Sequence, residues 1–350
     1  MLKRRTLFST LRSLLLICVL AAACAGASPP PLSAQERPLE IQATALPFKS
    51  DDPAATSVGQ LRWRGGIAMT ANSRRFGGWS DLHISADGRE LASISDEGSW
   101  LTAIIDTDAK GNLLGLSQAR IGPLRGLDGQ PLADKSQSDA EGMARLPDGS
   151  WLVSFERNHR IWRYPDLDGK PVPFPTPAEI RKQPNNGGIE TLTALSDGRV
   201  IAISEQYSVQ AGTVRGWIGT PGSVGQSGGQ SSGSQYSWAT FDYATRPDFS
   251  PTSIARLPDG SFATIERAYD VRHGVRCRVM RFDAADLRPG ATIHAKELAF
   301  LAAPYAVDNL EGLAATKGAR GETLLWLISD DNFNPLQKNV LLQFELVAAP

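Results

Sequence analysis

One pattern recurs five times along the chain and constrains the fold more than any other feature. Each copy has a small or acidic residue, an apolar run, a turn, a second apolar run and an acidic residue. Because Asp-Gly supplies the positive φ angles of a two-residue turn, each copy predicts a β-hairpin. Four copies turn at an Asp-Gly pair, and the fifth has a longer turn between Glu311 and Asp331; the pairs are Asp87-Gly88, Asp148-Gly149, Asp197-Gly198 and Asp259-Gly260.

Further strand-like runs lie between the hairpins, at 160–164, 279–282 and 340–344. A four-strand unit repeated at roughly 50 to 60 residues is typical of propeller blades. We therefore predict an all-β fold, a β-propeller. The runs near 61–63 and 341–346 lie outside the five hairpins and predict a sixth blade, so six blades are expected and five are the alternative.

Composition excludes some classes of partner. The 36 Lys and Arg residues balance 37 Asp and Glu residues, so neither nucleic acid nor an anionic membrane surface is an expected partner. Cys277 is the one cysteine outside the N-terminal segment, so no internal disulfide is expected. We expect a monomer that acts on a small anionic or ester substrate.

The N-terminal segment resembles an export signal. Lys3, Arg4 and Arg5 precede a short apolar run at 14–23, which is too short for a stable membrane span. We predict an export signal and Pro-rich cleavage region at 1–34, followed by a single propeller domain at 35–350. A periplasmic or secreted location follows, with the Tat and Sec routes both open. The sequence at 20–24, LAAAC, keeps a lipoprotein as the less favoured alternative.

The distances in sequence from each Asp-Gly turn predict that several acidic residues lie close together. Glu141 lies seven residues before Asp148 and Glu156 lies eight after it, which places both at the open end of one hairpin. Glu190 and Glu205 have the same offsets around Asp197. Radial repetition of the hairpin gathers acids at one mouth of the central channel, with further acids near equivalent places: Asp81, Asp96, Glu97, Glu266, Glu311, Asp330 and Asp331.

Clustered carboxylates need compensation, through raised pKa values, basic partners or a bound hard cation such as calcium. We predict a calcium site whose ligands are Glu141, Glu156, Glu190, Glu205, Glu311 and Asp330. The alternative is that these acids bind backbone N–H groups and arginines, and so tie the blades together.

Basic residues follow the acids closely in sequence. Arg157, Arg160, Arg267 and Arg272 could clamp a phosphate or carboxylate, or serve as internal partners of the acids. His159 is a candidate for proton transfer. Two Gly-x-Ser-x-Gly matches, at 225–229 and 229–233, lie in a Gly/Ser/Gln-rich stretch and are interpreted as accidental.

Several of these segments resemble, in order, the signatures of the phytase-like family, which is named for the esterase-like activity of phytase. They include 76–81 (FGGWSD), 139–142 (DAEG), 185–190 (NNGGIE) and 308–312 (DNLEG). The resemblance implies a calcium-associated propeller of exported bacterial proteins, hydrolytic on phosphate or carboxylic esters.

The leading hypothesis is therefore a calcium-dependent hydrolase of phosphate or other esters that uses metal-activated water. One alternative is a non-catalytic periplasmic binding or scaffold propeller. Another is a sugar-lactone hydrolase, for which the candidate amides are Asn158, Asn186, Asn309 and Asn332.

Overall fold

Five β-sheets follow one another along the chain, and each is built mainly from strands that are neighbours in sequence. The computed structural model describes residues 37–132, 134–222 and 236–348. All of them belong to one unit, Ser33–Pro350. We call the five sheets blades 1 to 5 in the order of their innermost strands.

The first half of the chain forms blades 1 and 2. Four strands come before the innermost strand of blade 1 in the sequence. β1 (Arg37–Leu39) pairs at the outer edge of blade 1, and β2 (Ile41–Ala45), β3 (Ser57–Val58) and β4 (Leu61–Ala71) belong to the sheet of blade 5. Blade 1 continues with β5 (Trp79–Ile84), β6 (Glu90–Ser95), β7 (Ser99–Thr107) and β8 (Leu113–Pro123). After the short helix α1 (Lys135–Ser138), blade 2 contains β9 (Ala140–Arg145), β10 (Trp151–Phe155), β11 (Arg160–Tyr164) and β12 (Val172–Pro173).

A 3₁₀ turn at Ile180–Lys182 leads into the second half of the chain. Blade 3 contains β13 (Ile189–Ala194), β14 (Val200–Ser204), β15 (Thr213–Pro221) and β16 (Tyr236–Ala244). Blade 4 contains β17 (Ser250–Arg256), β18 (Phe262–Asp270), β19 (Gly274–Phe282) and β21 (Lys296–Ala302), and a 3₁₀ turn at Ala284–Asp286 precedes β20 (Thr292–Ile293), which pairs with β16. Blade 5 contains β22 (Leu310–Lys317), β23 (Thr323–Ser329) and β24 (Asn339–Leu346), and its sheet continues through β4 to β2.

The five innermost strands form a closed ring around a central axis. β5 contacts β9, β9 contacts β13, and the contacts continue through β17 and β22 back to β5. Five separate hydrophobic clusters fill the spaces between successive blades. Their centres include fully buried aromatic residues, such as Trp79 between blades 5 and 1 and Trp217 between blades 2 and 3. Burial of this apolar surface holds the blades together.

The all-β propeller is confirmed, but the expectation of six blades is wrong. The N-terminal and C-terminal runs interpreted as a sixth blade are β4 and β24, and they pair with each other in antiparallel register. Met69 opposes Asn339 at one end of this pairing and Leu61 opposes Leu346 at the other. The two runs are therefore neighbouring strands of blade 5, and this pairing closes the ring.

The hairpin loops also differ from the predicted turns. All five have the same length, at 85–89, 146–150, 195–199, 257–261 and 318–322. The Asp-Gly pairs lie inside these loops, where Gly149 and Gly260 take φ angles of 87° and 90°. Glu311 and Asp330 lie further apart in sequence than Glu141 and Glu156 because more strand residues separate them from the loop, and the loop itself is not longer.

Asp81 lies buried at the centre of the ring. Its Oδ1 accepts hydrogen bonds from Leu82 N–H (2.8 Å) and Ser253 Oγ–H (2.7 Å), and its Oδ2 accepts one from Met143 N–H (2.7 Å). Ser253 Oγ in turn accepts a hydrogen bond from Leu313 N–H (3.1 Å). This network links blades 1, 2, 4 and 5 across the axis. Asp81 therefore stabilises the centre of the ring and does not belong to the acids at the mouth.

Within the described ranges, no helix combines the length and the apolar character needed to cross a membrane.

Candidate metal centre at the acidic mouth

A β-bulge interrupts the pairing of every innermost strand at the same position. The pairing shifts at Ser80, at Glu141 and Gly142, at Glu190, at Thr252 and at Glu311. A bulge redirects the side chain of the extra residue. Blades 2, 3 and 5 therefore carry a glutamate at the position that faces the mouth of the channel, whereas blades 1 and 4 carry a hydroxyl residue there.

A second ring of residues follows the second strand of each blade. The backbone N–H of Glu156 donates to Asp139 O (2.8 Å), and that of Glu205 donates to Gly188 O (2.8 Å). The N–H groups of Asp96 and Asp330 make the same bond to Gly78 and Asn309. Four blades thus hold an acid at the end of the second strand, beside the bulge of the first.

Blade 4 departs from this pattern. Pro251 opposes Glu266 and Ser250 opposes Arg267, so Arg267 occupies the position that carries the acid in the other blades. Glu266 turns instead into the space toward blade 3, where it accepts hydrogen bonds from Tyr243 Oη (2.9 Å) and Arg278 Nη1 (2.6 Å). The prediction that Glu266 joins the acids at the mouth is wrong, because Glu266 lies one residue before the position that carries the acid in the other blades.

The acids of blades 2 and 3 form two triads that share one residue. Asp139, Glu141 and Glu156 each place a carboxylate oxygen within 4.8 Å of the other two, and Glu156, Glu190 and Glu205 do the same. The structure therefore brings together four of the predicted ligands, and it adds Asp139. Calcium binds oxygen ligands at about 2.3–2.6 Å, so oxygens separated by these distances fit around one ion.

Protein partners satisfy only some of these carboxylates. Glu156 Oε1 accepts hydrogen bonds from the N–H groups of Gly187 (2.7 Å) and Gly188, and Glu205 Oε2 accepts one from Gln206 Nε2 (2.7 Å). Asp139 binds two cations, Lys135 Nζ at 2.8 Å and Arg157 Nε at 2.5 Å.

Glu141 and Glu190 differ from their neighbours. Each is only 9% exposed, and among the described residues neither carboxylate has a hydrogen bond or an ion pair. An unpaired buried carboxylate is costly unless it is protonated or binds a cation. The donor set of the two triads therefore fits a hard divalent cation.

Burial and mutual repulsion raise the pKa values of these acids. Burial, followed by the neighbouring carboxylates, raises the pKa values of Glu141 and Glu190 well above their usual range. Burial raises the pKa of Glu156 to about 7, although the Gly188 N–H opposes the shift. Without a bound cation, burial and repulsion therefore favour the protonated form of these carboxyl groups.

The opposite side of the mouth holds the other two predicted ligands. Glu311 Oε1 lies 3.2 Å from Arg267 Nη2 and accepts a hydrogen bond from Asn309 Nδ2 (2.8 Å). The same Asn309 amide lies 3.4 Å from Asp330 Oδ2. Burial raises the pKa of Glu311 to about 7 and that of Asp330 to about 9. The structure thus places Glu311 and Asp330 beside an arginine, outside the two triads.

The predicted basic residues separate into two groups. Arg157 binds Asp139, and Arg267 contacts Glu311 and, at 3.9 Å, Glu205. Arg160 instead stacks on the rings of Phe155 and Trp162, 4.0 and 4.2 Å from their centroids, and Arg272 lies in the exposed loop of the β18–β19 hairpin. Among the described ion pairs, neither Arg160 nor Arg272 reaches an acid of the mouth.

His159 lies next to the shared acid. Its Nε2 is 2.8 Å from Pro184 O, which makes Nε2 the protonated nitrogen in the neutral ring. A Cβ atom at Gly188 would lie 2.9 Å from His159 Nδ1 and 3.2 Å from Glu156 Cγ, so a glycine allows both side chains to approach. Burial lowers the pKa of His159.

Sequence reasoning missed two residues of this site. Asp139 precedes β9 directly, and its counterpart in blade 5 is Asn309, since both carbonyls accept the same backbone hydrogen bond. The DAEG motif contained Asp139, so its two-residue spacing from Glu141 could have identified it. Lys135 lies on α1, which no repeat predicts.

Geometry defines the class of protein as a five-bladed β-propeller with a carboxylate cluster at one mouth of its central axis. The sequence profile of the phytase-like family, described as esterase-like activity of phytase, matches residues 74–333. The chain belongs to this family. A comparison with curated protein sequences gave no match.

The solved structures found by comparison share little sequence with the chain. An α-L-arabinofuranosidase from Podospora anserina in complex with cellotriose has 11% identity and a TM-score of 0.47, over 82% of this chain and 97% of that one. A virginiamycin B lyase from Staphylococcus aureus has 12% identity and a TM-score of 0.39, over 88% and 100%. A putative gluconolactonase has 10% identity and a TM-score of 0.36, over 88% and 100%.

Proposed function

We propose that the protein is a calcium-dependent hydrolase of phosphate or other esters, with its active site at the acidic mouth. The observation that carries the proposal is the pair of buried, unpartnered carboxylates, Glu141 and Glu190, within triads whose spacing suits a hard cation. Membership of the phytase-like family supports an ester as the substrate.

Glu141, Glu156, Glu190, Glu205 and Asp139 are the residues that would hold calcium. When bound, calcium supplies Lewis acidity toward a substrate oxygen and lowers the pKa of a coordinated water. The two glycine N–H groups that bind Glu156 Oε1 fix the orientation of that carboxylate, and no described residue donates to its second oxygen.

The basic residues at the mouth have separate tasks. Arg157 is about one-third exposed and keeps its bond to Asp139, so its remaining N–H groups can reach a substrate anion from the rim. Arg267 is held between Glu311 and Glu205 and neutralises part of the acid ring. His159 lies near Glu156, and because burial lowers its pKa, the neutral imidazole is a candidate to accept a proton.

Charge explains why activity on a phosphate ester should need the cation. The mouth is rich in carboxylates, so it repels an anionic substrate when they are ionised. A divalent cation bound there would offset part of this charge and would offer an electrophilic centre to an oxygen of the substrate. We therefore expect calcium to affect substrate binding as well as turnover.

The two alternative functions receive less support from the site. In a scaffold propeller every carboxylate would be paired with an arginine or the backbone, and Glu141 and Glu190 do not meet that condition. For a lactone hydrolase, the candidate amides do not converge on one partner: the Nδ2 of Asn158 donates to Gln137, that of Asn332 to Gln337 and that of Asn309 to Glu311.

Export to the periplasm or beyond is part of the proposal. The signal predicted at 1–34 lies outside the described residues, and the proposal rests on the charged and apolar pattern of that segment. Fractionation of the native host, with an antibody to the propeller, should recover the shortened chain outside the cytoplasm. Size-exclusion chromatography should show a monomer.

An activity panel tests the reaction. Protein stripped with chelator is assayed on phytate, p-nitrophenyl phosphate and p-nitrophenyl acetate, each with added calcium and with chelator. We expect calcium-dependent turnover of at least one ester, strongly reduced in Glu190→Gln. Glu40→Gln, an exposed acid near the outer edge of the fold, is the matched control. Absence of turnover on all three esters, in protein that binds calcium, would contradict the hydrolase proposal and favour a binding role.

A further inference from the structure

The two carboxylate triads share Glu156, and this arrangement has a consequence for the number of ions. Asp139 and Glu141 form one triad with Glu156, and Glu190 and Glu205 form the other. Glu156 Oε1 is occupied by two glycine N–H groups, whereas no described residue donates to Oε2. A carboxylate flanked by two ligand pairs is the arrangement of two-metal sites, whose ions are about 3.5–4 Å apart.

Each triad also contains its own unpartnered acid. Glu141 belongs to the first triad and Glu190 to the second, and both are nine-tenths buried. Glu190 Oε2 is fully buried without a hydrogen-bond partner, and no described hydrogen bond or ion pair involves the Glu141 carboxylate. A single ion within one triad leaves the unpartnered acid of the other triad without compensation. Each triad therefore has its own reason to bind a cation: Glu141 in the first triad and Glu190 in the second.

Local cations do not remove this need. Lys135 and Arg157 both bind Asp139, and Arg267 binds Glu311 more closely than Glu205. Among the described ion pairs, none reaches Glu141, Glu156 or Glu190. The acids without a cationic partner are thus the shared acid, Glu156, and one further acid in each triad.

We propose that the mouth binds two divalent cations of the calcium type, with Glu156 as their shared ligand. Asp139 and Glu141 complete the first site, and Glu190 and Glu205 complete the second. The first site is the weaker one, because its Asp139 already carries two cationic partners. This inference rests on the proposed function in one respect only, since both require that the mouth binds calcium.

Metal stoichiometry tests the inference directly. Chelator-stripped protein is titrated with calcium chloride by isothermal titration calorimetry, and the number of bound ions is counted by native mass spectrometry. We expect two ions with different affinities. One ion at saturation would overturn the two-cation site and leave the hydrolase proposal standing. No bound ion would overturn both.

Isosteric variants assign the sites. Glu141→Gln should lose the weaker ion and Glu190→Gln the tighter one, whereas Glu156→Gln should weaken both at least tenfold. Glu40→Gln is the control and should bind like the wild type. Wild-type affinity at either site in Glu156→Gln would overturn the shared ligand. Circular dichroism checks that each variant is folded.

A measurement on the wild-type protein avoids any effect of substitution on folding. Protein loaded with a mixture of terbium and europium should show energy transfer between the two ions, since neighbouring ions in a bridged site are separated by about 4 Å. Addition of excess calcium should abolish the transfer. Bound lanthanides without energy transfer would show that the ions are isolated, which contradicts a bridged pair.

Discussion

Arg267 Nη2 of blade 4 lies 3.2 Å from Glu311 Oε1 of blade 5, at the position where the other four blades carry an acid. Burial lowers the pKa of the Arg267 guanidinium, but Glu311, Glu190 and Glu205 outweigh that effect and hold the pKa above its usual range. The ring of acids therefore contains one permanent cation. Its position divides the mouth into a charge-compensated side at blades 4 and 5 and an uncompensated side at blades 2 and 3.

Replacement of this cation should destabilise the metal-free protein. Arg267→Met removes the partner of Glu311 and leaves the side chain's apolar stem largely in place. Breaking a buried ion pair costs about 3–5 kcal/mol, and we expect the lower end because Arg267 is 22% exposed. The free energy of unfolding, measured with denaturant in the presence of chelator, checks this.

The control for Arg267 is an arginine in a solvent-exposed pair. Arg281 pairs with Asp259 at 2.8 Å on the loop side of blade 4, and both side chains are at least one-third exposed. Arg281→Met should cost no more than about 1 kcal/mol, since exposed pairs contribute little. Equal losses in the two variants would contradict a special role for Arg267.

Glu190→Gln should separate the stability of the metal-free protein from that of the calcium-loaded protein. The amide removes a buried, repelled acid, so the metal-free variant should be at least as stable as the wild type. A ligand at one hundred times its Kd stabilises a protein by about 2.7 kcal/mol, and the variant should lose most of this gain. Thermal unfolding with calcium and with chelator measures both quantities. A variant stabilised by calcium as strongly as the wild type would exclude Glu190 as a ligand.

Stability of the metal-free protein should fall as pH rises. Burial raises the pKa of Glu156 and Glu311 from 4.5 to about 7 and that of Asp330 from 3.8 to about 9. Between these limits the folded protein binds protons that the unfolded chain has released, so unfolding becomes easier with increasing pH. Each such group contributes a slope of up to about 1.4 kcal/mol per pH unit.

Denaturant unfolding at pH 5 to 9 in chelator measures this slope. Saturating calcium should flatten or reverse it, because the cation binds the ionised carboxylates. The acids' destabilising effect is absent below about pH 4 and complete above about pH 9. Metal-free stability that increased steadily from pH 5 to pH 8 would show that the acids at the mouth are ionised without a cation.

Replacement of Asp81 should lower the stability of the propeller and leave calcium binding unchanged. Asp81→Ala leaves the Ser253 hydroxyl and the Met143 and Leu82 N–H groups without their acceptor. An unsatisfied buried donor costs about 1–3 kcal/mol, so we expect a loss of at least about 3 kcal/mol. Calcium stoichiometry of the folded fraction should not change. A change in stoichiometry would place Asp81 in the metal site.

Local sequence patterns were sufficient for the hairpins and for part of the site. The offsets of Glu141 and Glu156 from Asp148, repeated by Glu190 and Glu205 around Asp197, correctly gathered four acids, because hairpin register follows from the loop position. The same counting could have found Arg267, which lies eight residues after Asp259 just as Glu156 lies eight after Asp148.

Such local patterns could not predict which distant strands pair with each other. The runs that contain Leu61 and Leu346 each look like a strand, but nothing local shows that they pair with each other. The blade count failed for this reason. Lys135 and the glycine N–H groups of Gly187 and Gly188 also reach the acids through loops between blades, which carry no periodic signal.

The pairing of β4 with β24 has a consequence for how the protein is made. β4 begins at Leu61 and its partner ends at Leu346, so this pairing cannot form until β24, more than 260 residues further along, has been synthesised. Contacts of such sequence separation form slowly, because loop closure must precede them. A ribosome-bound nascent chain therefore has an open arc of blades, with the apolar edge of blade 1 uncovered until its last strands arrive.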